Sequence, residues 1–135
     1  MQYYQTKAEK NIGSNFKELR KKAEKIYFQI KKRSRRKPYI RSTYFNGSKV
    51  FIDYFWEHLH SKNLRDKQRR LMVYAAALEV IKNSNIHPEA VENPNKKREL
   101  LYRFKGKTKD GILFTVQIKE DKKSGAKYFI SVFPE

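Results

Sequence analysis

The last third of the chain, residues 98–133, most constrains the fold, because three runs there alternate apolar and polar residues with a period of two. Such alternation is typical of strands that bury one face of a sheet. An Asp-Gly pair at 110–111 and a Ser-Gly pair at 124–125 separate the runs and favour turns, since glycine tolerates positive φ. The sequence therefore predicts a three-stranded antiparallel meander. Its strands are expected near 98–105, 112–119 and 127–133.

The alternation gives the predicted meander two faces of different chemistry. The apolar face needs a cover, and its members are Leu100, Tyr102, Phe104, Phe114, Val116, Ile118, Tyr128, Ile130 and Val132. The opposite face is basic and bears hydroxyl and amide groups; its members are Arg103, Lys105, Thr115, Gln117, Lys119, Lys127 and Ser131. The first face predicts a hydrophobic core. The second is either an ordinary solvated surface or a binding surface.

The N-terminal residues predict a basic arm built around one helix. Residues 1–12 are polar and without pattern, which is typical of a loose tail. Asn15, with Glu18 three residues later, predicts an N-cap for a helix over about 15–32. Its lysines and arginines either form a solvated face or contact phosphate. The basic run KKRSRRK follows and is typical of a linker or a phosphate-seeking segment.

Two further helices are predicted in the middle of the chain. Asp53 is a candidate cap for a short helix over 54–62. A longer helix is expected over 64–83, because apolar residues recur there at helical spacing. Asp66 and Arg70 on this helix form a predicted i,i+4 ion pair.

A hairpin and a loop complete the predicted elements. The Asn-Gly pair at 46–47 stands between two alternating runs and predicts a hairpin with strands near 39–45 and 48–52. Residues 84–97 contain two prolines and several asparagines and are expected to be a loop. We therefore predict an α+β fold with helices packed on one face of a small antiparallel β-sheet, formed by the C-terminal three-stranded meander plus the N-terminal hairpin.

The net charge of +18 over 135 residues is the strongest global property. A field of this sign favours nucleic acid first, an anionic membrane second and an acidic protein third, although a merely soluble basic protein is the plain alternative. The first 38 residues hold 13 lysines and arginines against three glutamates. The sequence therefore predicts a basic helical N-terminal arm over residues 1–37 and an α+β domain over residues 38–135.

Composition also excludes several classes of protein. The chain has no cysteine, which excludes disulfides and thiolate metal sites. No apolar run approaches the ~20 residues of a membrane span, and no signal-peptide hydrophobic region is present, so a cytoplasmic protein without membrane contact is expected. Carboxylates are scattered and no glycine-rich phosphate loop occurs, so we predict neither a metal nor a cofactor.

His58 and His60 are the candidate proton-transfer residues, because histidine titrates near neutral pH. They lie two residues apart in EHLH on the predicted short helix. Residues at this spacing point about 200° apart on a helix, so a metal chelate from the pair is disfavoured. The structural alternative is an imidazole that caps the helix or packs at the edge of the core.

Metal-independent RNA cleavage fits the residues that remain. The ribose 2′-hydroxyl is the nucleophile, so the protein needs only to take one proton, give one and stabilise the phosphate charge. The candidate catalytic residues are His58, His60, Arg103, Thr115, Lys119 and Ser131. The candidate nucleic-acid-binding residues are Arg35, Arg36, Arg65, Arg69, Gln117 and Lys127. The aromatic candidates for base stacking are Tyr44, Phe45, Phe129 and Phe133, although aromatic residues in strands are more often core.

From about residue 38 to residue 134, the sequence resembles the phage-associated branch of the barnase–EndoU–colicin–RelE-like (BECR) ribonucleases. The segments that carry the resemblance are VFIDYFWEHLH, HPEAVENPN and the strands YRFKG, LFTVQIKE and KYFISVF. The resemblance implies a helix pair leading into a small antiparallel sheet, with a helix histidine and polar or basic strand residues forming a metal-independent site. It implies that the site residues are His58 or His60, Arg103, Thr115 to Lys119, and Ser131. The N-terminal arm is left unexplained.

The sequence therefore predicts a metal-independent endoribonuclease of toxin or phage-conflict type, with RNA as its substrate. The alternative is a non-catalytic module that binds RNA or DNA. A third hypothesis is a basic protein that docks onto an acidic protein, such as an antitoxin or immunity partner. The third hypothesis is compatible with the first, because a toxic ribonuclease would itself need an inhibitor.

Overall fold

The computed structural model describes residues 2–11, 13 and 15–135. In this part of the chain, four helices and seven strands form a mixed α+β structure. The elements are β1 (Tyr4–Gln5), α1 (Phe16–Arg33), β2 (Tyr39–Ser42), β3 (Ser48–Phe51), α2 (Tyr54–His60), α3 (Leu64–Met72), α4 (Tyr74–Asn83), β4 (Glu89–Glu92), β5 (Glu99–Lys107), β6 (Leu113–Asp121) and β7 (Lys127–Pro134). The predicted α+β class is confirmed.

One sheet contains all of these strands. Its order is β1-β5-β6-β7-β3-β2, and β4 also pairs with β5. The predicted meander is its centre as β5, β6 and β7, and the predicted hairpin β2–β3 joins it through a parallel pairing of β3 with β7. β1 also pairs with β5 in parallel. The prediction of a purely antiparallel sheet is wrong, because side-chain alternation carries no information about strand direction.

Two short strands form where the sequence predicts irregular chain. The expected loose tail instead contains β1, and the backbone N–H groups of Lys7 and Ala8 donate to the Glu79 carboxylate at 2.9 Å and 3.1 Å. β4 lies inside the predicted loop 84–97 and pairs with β5. Strands of two and four residues are too short to show a clear period, so backbone pairing and not alternation determines them.

Of the two candidate caps in the sequence, Asn15 forms and Asp53 does not, and Asn63 forms a further cap. The side chains of Asn15 and Asn63 each accept the backbone N–H three residues on, at 3.0 Å and 2.9 Å. Asp53 makes no such bond, and one of its carboxylate oxygens is buried without a hydrogen-bond partner among the described residues. The helix expected over 64–83 is two helices that meet at Val73.

The core lies between the apolar face of the sheet and helices α2 and α4. Phe55 of α2 stacks on Phe129 of β7 with ring centroids 4.9 Å apart, and Tyr74 of α4 lies beside both rings. Helix α1 packs on α3 and α4 and buries Leu19 and Ala23. The basic arm therefore contributes to the core, and the division of the chain at residue 37 stays a prediction.

A bulge in β7 reverses the side-chain alternation predicted for that strand. Two consecutive residues of β6 pair with Ser131 and Phe129, so Ile130 has no partner on β6. Phe129 is consequently buried in the core, whereas Tyr128 lies on the opposite face. The prediction that Tyr128 and Ile130 belong to the apolar face is wrong, because one extra residue moves the side chains on one side of the bulge to the other face.

Replacing Gly106 by alanine is expected to destabilise the fold. The added Cβ would stand 2.4 Å from Cζ of Phe114 and 2.9 Å from Cγ2 of Val80, so the core must shift. Overpacking of this kind costs about 1–3 kcal/mol, which would appear as a lower free energy of unfolding in urea. Lys107→Ala at the exposed neighbouring position is the control, expected within about 0.5 kcal/mol of the parent. Unchanged stability of Gly106→Ala would contradict the packing.

Candidate functional site

We call the side of the sheet that faces away from the core the polar face. A row of paired residues crosses it from β2 to β5, and its members are Tyr39, Phe51, Tyr128, Lys119 and Leu101. All five are half-buried. The polar face thus begins as an aromatic surface on β2, β3 and β7 and becomes cationic at β6.

A shallow pocket lies where α2 meets the polar face. We call it the His58 pocket, and it is lined by Tyr54, Glu57, His58, Ser61, Glu99, Lys119 and Ile130. Helix α2 supplies the imidazole, β6 the ammonium group of Lys119 and β5 the carboxylate of Glu99. The Lys119 Nζ lies 3.5 Å from Glu99 Oε2. The pocket therefore gathers an imidazole, two carboxylates and a cation.

The structure separates the two histidines of EHLH. His60 lines a different cleft, in company with Arg20 of α1 and Lys67 of α3. The separation follows from the helix geometry, which turns residues two apart by about 200°. Of the two candidates, the structure brings only His58 to the polar face, and it does not bring His60 there.

Lys119 stands at the junction of the aromatic surface and the pocket. Its Nζ is 5.2 Å from the ring centroid of Tyr54 and 5.4 Å from that of Tyr128. Its side chain is 22% exposed and that of Glu99 is 16% exposed. Water screens a partly buried cation less than an exposed one, so Lys119 would interact more strongly with an incoming phosphate than an ordinary surface lysine.

Arg70 of α3 contacts β7 next to the pocket-lining Ile130, and the sequence does not single it out. Its Nη1 donates to the Ser131 hydroxyl and to the Val132 carbonyl, the latter at 3.3 Å, and its guanidinium lies 5.7 Å from the Phe133 ring centroid. The predicted ion pair with Asp66 does not form, because Asp66 lies instead 3.8 Å from Arg69. No carboxylate of the described residues is within ion-pair distance of Arg70.

Burial sets the electrostatics of Arg70. Desolvation lowers the pKa of its guanidinium, and the neighbouring Arg69 charge acts in the same direction while Asp66 opposes both. Its Nε is buried and has no hydrogen-bond partner among the residues described. The charge is therefore partly desolvated and not neutralised, which favours binding of an anion beside β7.

Two predicted catalytic hydroxyls are buried on the polar face. Thr115 Oγ1 accepts a hydrogen bond from Lys105 Nζ at 2.7 Å, and Lys105 also bonds Glu135 at 3.0 Å. Ser131 is 5% exposed and lies under Arg70. Their hydroxyls hold cations in place and are poorly placed to contact a ligand directly.

Arg103 lies on the polar face but does not line the His58 pocket. Its Nε donates to Gln117 Oε1 at 3.3 Å, and it lines a separate cleft with His87 and Glu89. Gln117 is half-buried beside it. Of the six predicted catalytic residues, His58 and Lys119 share one pocket, and Ser131 is linked to Arg70.

The predicted binding residues occupy several places. Arg35 and Arg36 are exposed and line an open groove together with Lys37. Arg65 is exposed on α3, and Arg69 donates to the Pro134 carbonyl at 3.4 Å. Arg35 and Arg36 thus precede β2, whereas Arg65 and Arg69 belong to α3.

Lys127 is on the core side of the sheet, so the prediction that it shares the polar face is wrong. Its Nζ lies 4.9 Å from the ring centroid of Phe45 and 3.3 Å from Glu120 Oε1. The cause is the bulge at Ile130, which inverts the alternation of β7 between its two ends.

Three of the four aromatic stacking candidates belong to the core side. Phe129 is fully buried, and the rings of Tyr44 and Phe45 pack edge-on against Phe104 at 5.4 Å and 5.9 Å. Only Phe133, beneath Arg70, lies near the polar face. The strands alone do not distinguish core rings from exposed ones, because both satisfy the same alternation.

The electrostatic surroundings favour the neutral form of His58. Desolvation lowers the pKa of its imidazole below 6.5, and the positive charges of Lys62, Arg70 and Lys119 lower it further. A bound phosphate would oppose these cations and favour the protonated form. An anion bound in the pocket would therefore raise the pKa of His58.

Comparison with known proteins finds no matching family model, curated protein or solved structure. The BECR resemblance accordingly stays a prediction. Within the described residues, no three His, Asp or Glu side chains are grouped so as to hold a metal ion. None of the helices in that part of the chain combines the length and apolarity needed to cross a membrane.

Lys62→Gln is expected to raise the pKa of His58, because the Lys62 charge lowers that pKa more than either of the other two cations does. An NMR titration of the His58 ring protons measures the shift. Lys97→Gln removes one positive charge from an exposed loop position and is the control, expected to leave the His58 midpoint unmoved. A lowered midpoint in Lys62→Gln would contradict the electrostatic assignment.

Proposed function

We propose that the protein is a metal-independent endoribonuclease of toxin or phage-conflict type, with its active site in the His58 pocket. The observation that carries the proposal is the meeting of His58, Glu99 and Lys119 from three different elements in one pocket. Cleavage through the ribose 2′-hydroxyl requires a proton acceptor, a proton donor and a cation at the phosphate. These three side chains supply one group for each requirement.

Glu99 is assigned as the proton acceptor and His58 as the proton donor. The carboxylate takes the 2′-hydroxyl proton, the 2′-oxygen attacks phosphorus, and the bond from phosphorus to the 5′-oxygen breaks. The imidazolium protonates the departing 5′-oxygen, leaving a 2′,3′-cyclic phosphate and a 5′-hydroxyl. The reverse assignment is disfavoured, because it requires a protonated carboxyl 3.5 Å from the Lys119 ammonium.

Lys119 and Arg70 are assigned to the phosphate charge. Lys119 lines the pocket, and Arg70 contacts Ser131 and Val132, which directly follow the pocket-lining Ile130 on β7. Charge on the phosphate oxygens is stabilised best by cations that are already fixed and partly desolvated. The Ser131 hydroxyl and the Val132 carbonyl fix the Arg70 guanidinium, which makes Arg70 suited to this role.

A non-catalytic module that binds RNA or DNA is the second candidate. The observation that favours it is the open groove lined by Arg35, Arg36 and Lys37, which offers phosphate contacts without any proton-transfer group. Such a module would bind with steep salt dependence and leave its ligand intact. An acidic antitoxin or immunity protein is a further proposed partner, since the +18 charge would attract it.

His58→Ala is expected to lower RNA cleavage in EDTA by about 10²- to 10⁴-fold, because the departing oxygen loses its proton donor. His60→Ala is the matched control, with the same change two residues away in a different cleft, and it should cleave at nearly the parent rate. Gel electrophoresis of an end-labelled RNA measures both rates. The proposal fails if the parent protein does not cleave RNA, or if His58→Ala cleaves as fast as the parent.

The pH dependence of cleavage provides a separate check on the donor assignment. A proton donor must be protonated, so kcat/KM is expected to fall as the pH rises through the pKa of His58, which lies below 6.5. In Lys62→Gln, where that pKa is raised, the fall should move to higher pH. A rate that instead increases through this range would assign His58 as the acceptor.

A further inference from the structure

Four half-buried rings form a continuous row across the polar face and onto α2. We call them the aromatic row, and they are Tyr39, Phe51, Tyr128 and Tyr54. Successive centroids are 6.4 Å, 5.8 Å and 4.9 Å apart. The first three rings are cross-strand partners, so the row runs across the strands.

Cations lie over the rings at both ends of this row. Lys49 Nζ lies 4.7 Å and the Arg41 guanidinium 5.6 Å from the Tyr39 centroid, and Lys37 Nζ lies 5.6 Å from that of Tyr54. None of these three makes an ion pair with a carboxylate of the described residues. Lys119, which is paired with Glu99, also lies at the Tyr54 end.

The aromatic row connects two sites that have already been described. At one end, Tyr39 and Phe51 line the open groove with Arg35, Arg36 and Lys37, and no carboxylate of the described residues lines it. At the other end, Tyr54 lines the His58 pocket together with Lys119. A ligand that follows the rings therefore passes from a basic groove to the proposed catalytic groups.

We infer that the aromatic row is a stacking track that binds single-stranded RNA and directs it from the basic groove into the His58 pocket. A polyanion with flat apolar faces matches a row of rings with cations at its ends, because bases stack on rings while phosphates pair with Lys and Arg. A duplex hides the faces of its bases within its own stack and so cannot use the rings. Delivery of RNA to a catalytic site in the His58 pocket rests on the proposed function, whereas binding of RNA to the aromatic row does not.

Binding of a fluorescent single-stranded 2′-O-methyl oligonucleotide tests the track independently of cleavage, since this ligand has no 2′-hydroxyl to attack. Tyr39→Leu should weaken binding by between about 5- and 100-fold in fluorescence anisotropy, and Tyr39→Phe should restore it, because any aromatic ring stacks. Phe28→Leu removes a 47% exposed ring of α1 outside the row and is the matched control, expected to bind like the parent.

Salt dependence separates the ring contribution from the charge contribution. Lys49→Gln should reduce the slope of log K against log salt by about 0.7, whereas Tyr39→Leu should leave the slope unchanged. Lys49 is exposed, so this variant keeps the test valid even where Tyr39→Leu fails to fold. An unchanged slope in Lys49→Gln would overturn the track.

The outcomes distinguish the track from the enzyme. Ring-dependent binding of the oligonucleotide without cleavage of RNA supports the track and overturns the proposed function. Cleavage of RNA with unchanged binding by Tyr39→Leu overturns the track and leaves the function standing. Equal affinity for a duplex would also overturn the track. So would a Tyr39→Leu variant that loses binding to phosphatidylserine vesicles but keeps its binding to the oligonucleotide.

Discussion

The bulge at Ile130 is the constraint on which both faces of the sheet depend. It allows β7 to place Phe129 in the core, where that ring stacks on Phe55, while Tyr128 lies on the polar face. Beyond the bulge the alternation of β7 is inverted. The Ser131 side chain therefore lies on the polar face, where it accepts a hydrogen bond from Arg70. A regular strand would satisfy one of these two arrangements and break the other, since a shift of one residue exchanges the faces.

Ion pairs distribute the charge of the molecule unevenly. Several lysines of the meander have carboxylate partners, and the pairs are Lys105–Glu135, Lys119–Glu99, Lys122–Glu92 and Lys127–Glu120. Such partly exposed pairs contribute little to stability, at about 0–1 kcal/mol each. Their main effect is on the field, because they leave the excess positive charge on α1, the basic run after it and the hairpin. Attraction of a polyanion and proton transfer would therefore be carried out by different parts of the fold.

Local patterns in the sequence predict local structure well and tertiary placement poorly. The Asn15 cap and the three strands of the meander follow from spacing alone, as does the divergence of His58 and His60. The parallel pairings of β1 and β3 do not, because alternation is the same for either direction. The prediction that Lys127 lies on the polar face is wrong for a different reason. A bulge cannot be recognised in a sequence where Tyr, Phe and Ile follow one another.

Arg70 shows how a tertiary contact can replace a plausible local interaction. Its spacing from Asp66 suits an ion pair on one helix, which would account for the charge completely. In the structure Asp66 lies beside Arg69, and Arg70 packs against β7 with its Nε buried and without a hydrogen-bond partner among the described residues. A buried donor without a partner costs about 1–3 kcal/mol. Natural proteins tend to retain such local costs at functional sites. Packing against Phe133 and Val132 would be achieved at lower cost by an apolar side chain, and the phosphate-binding role that we propose for Arg70 would account for this cost.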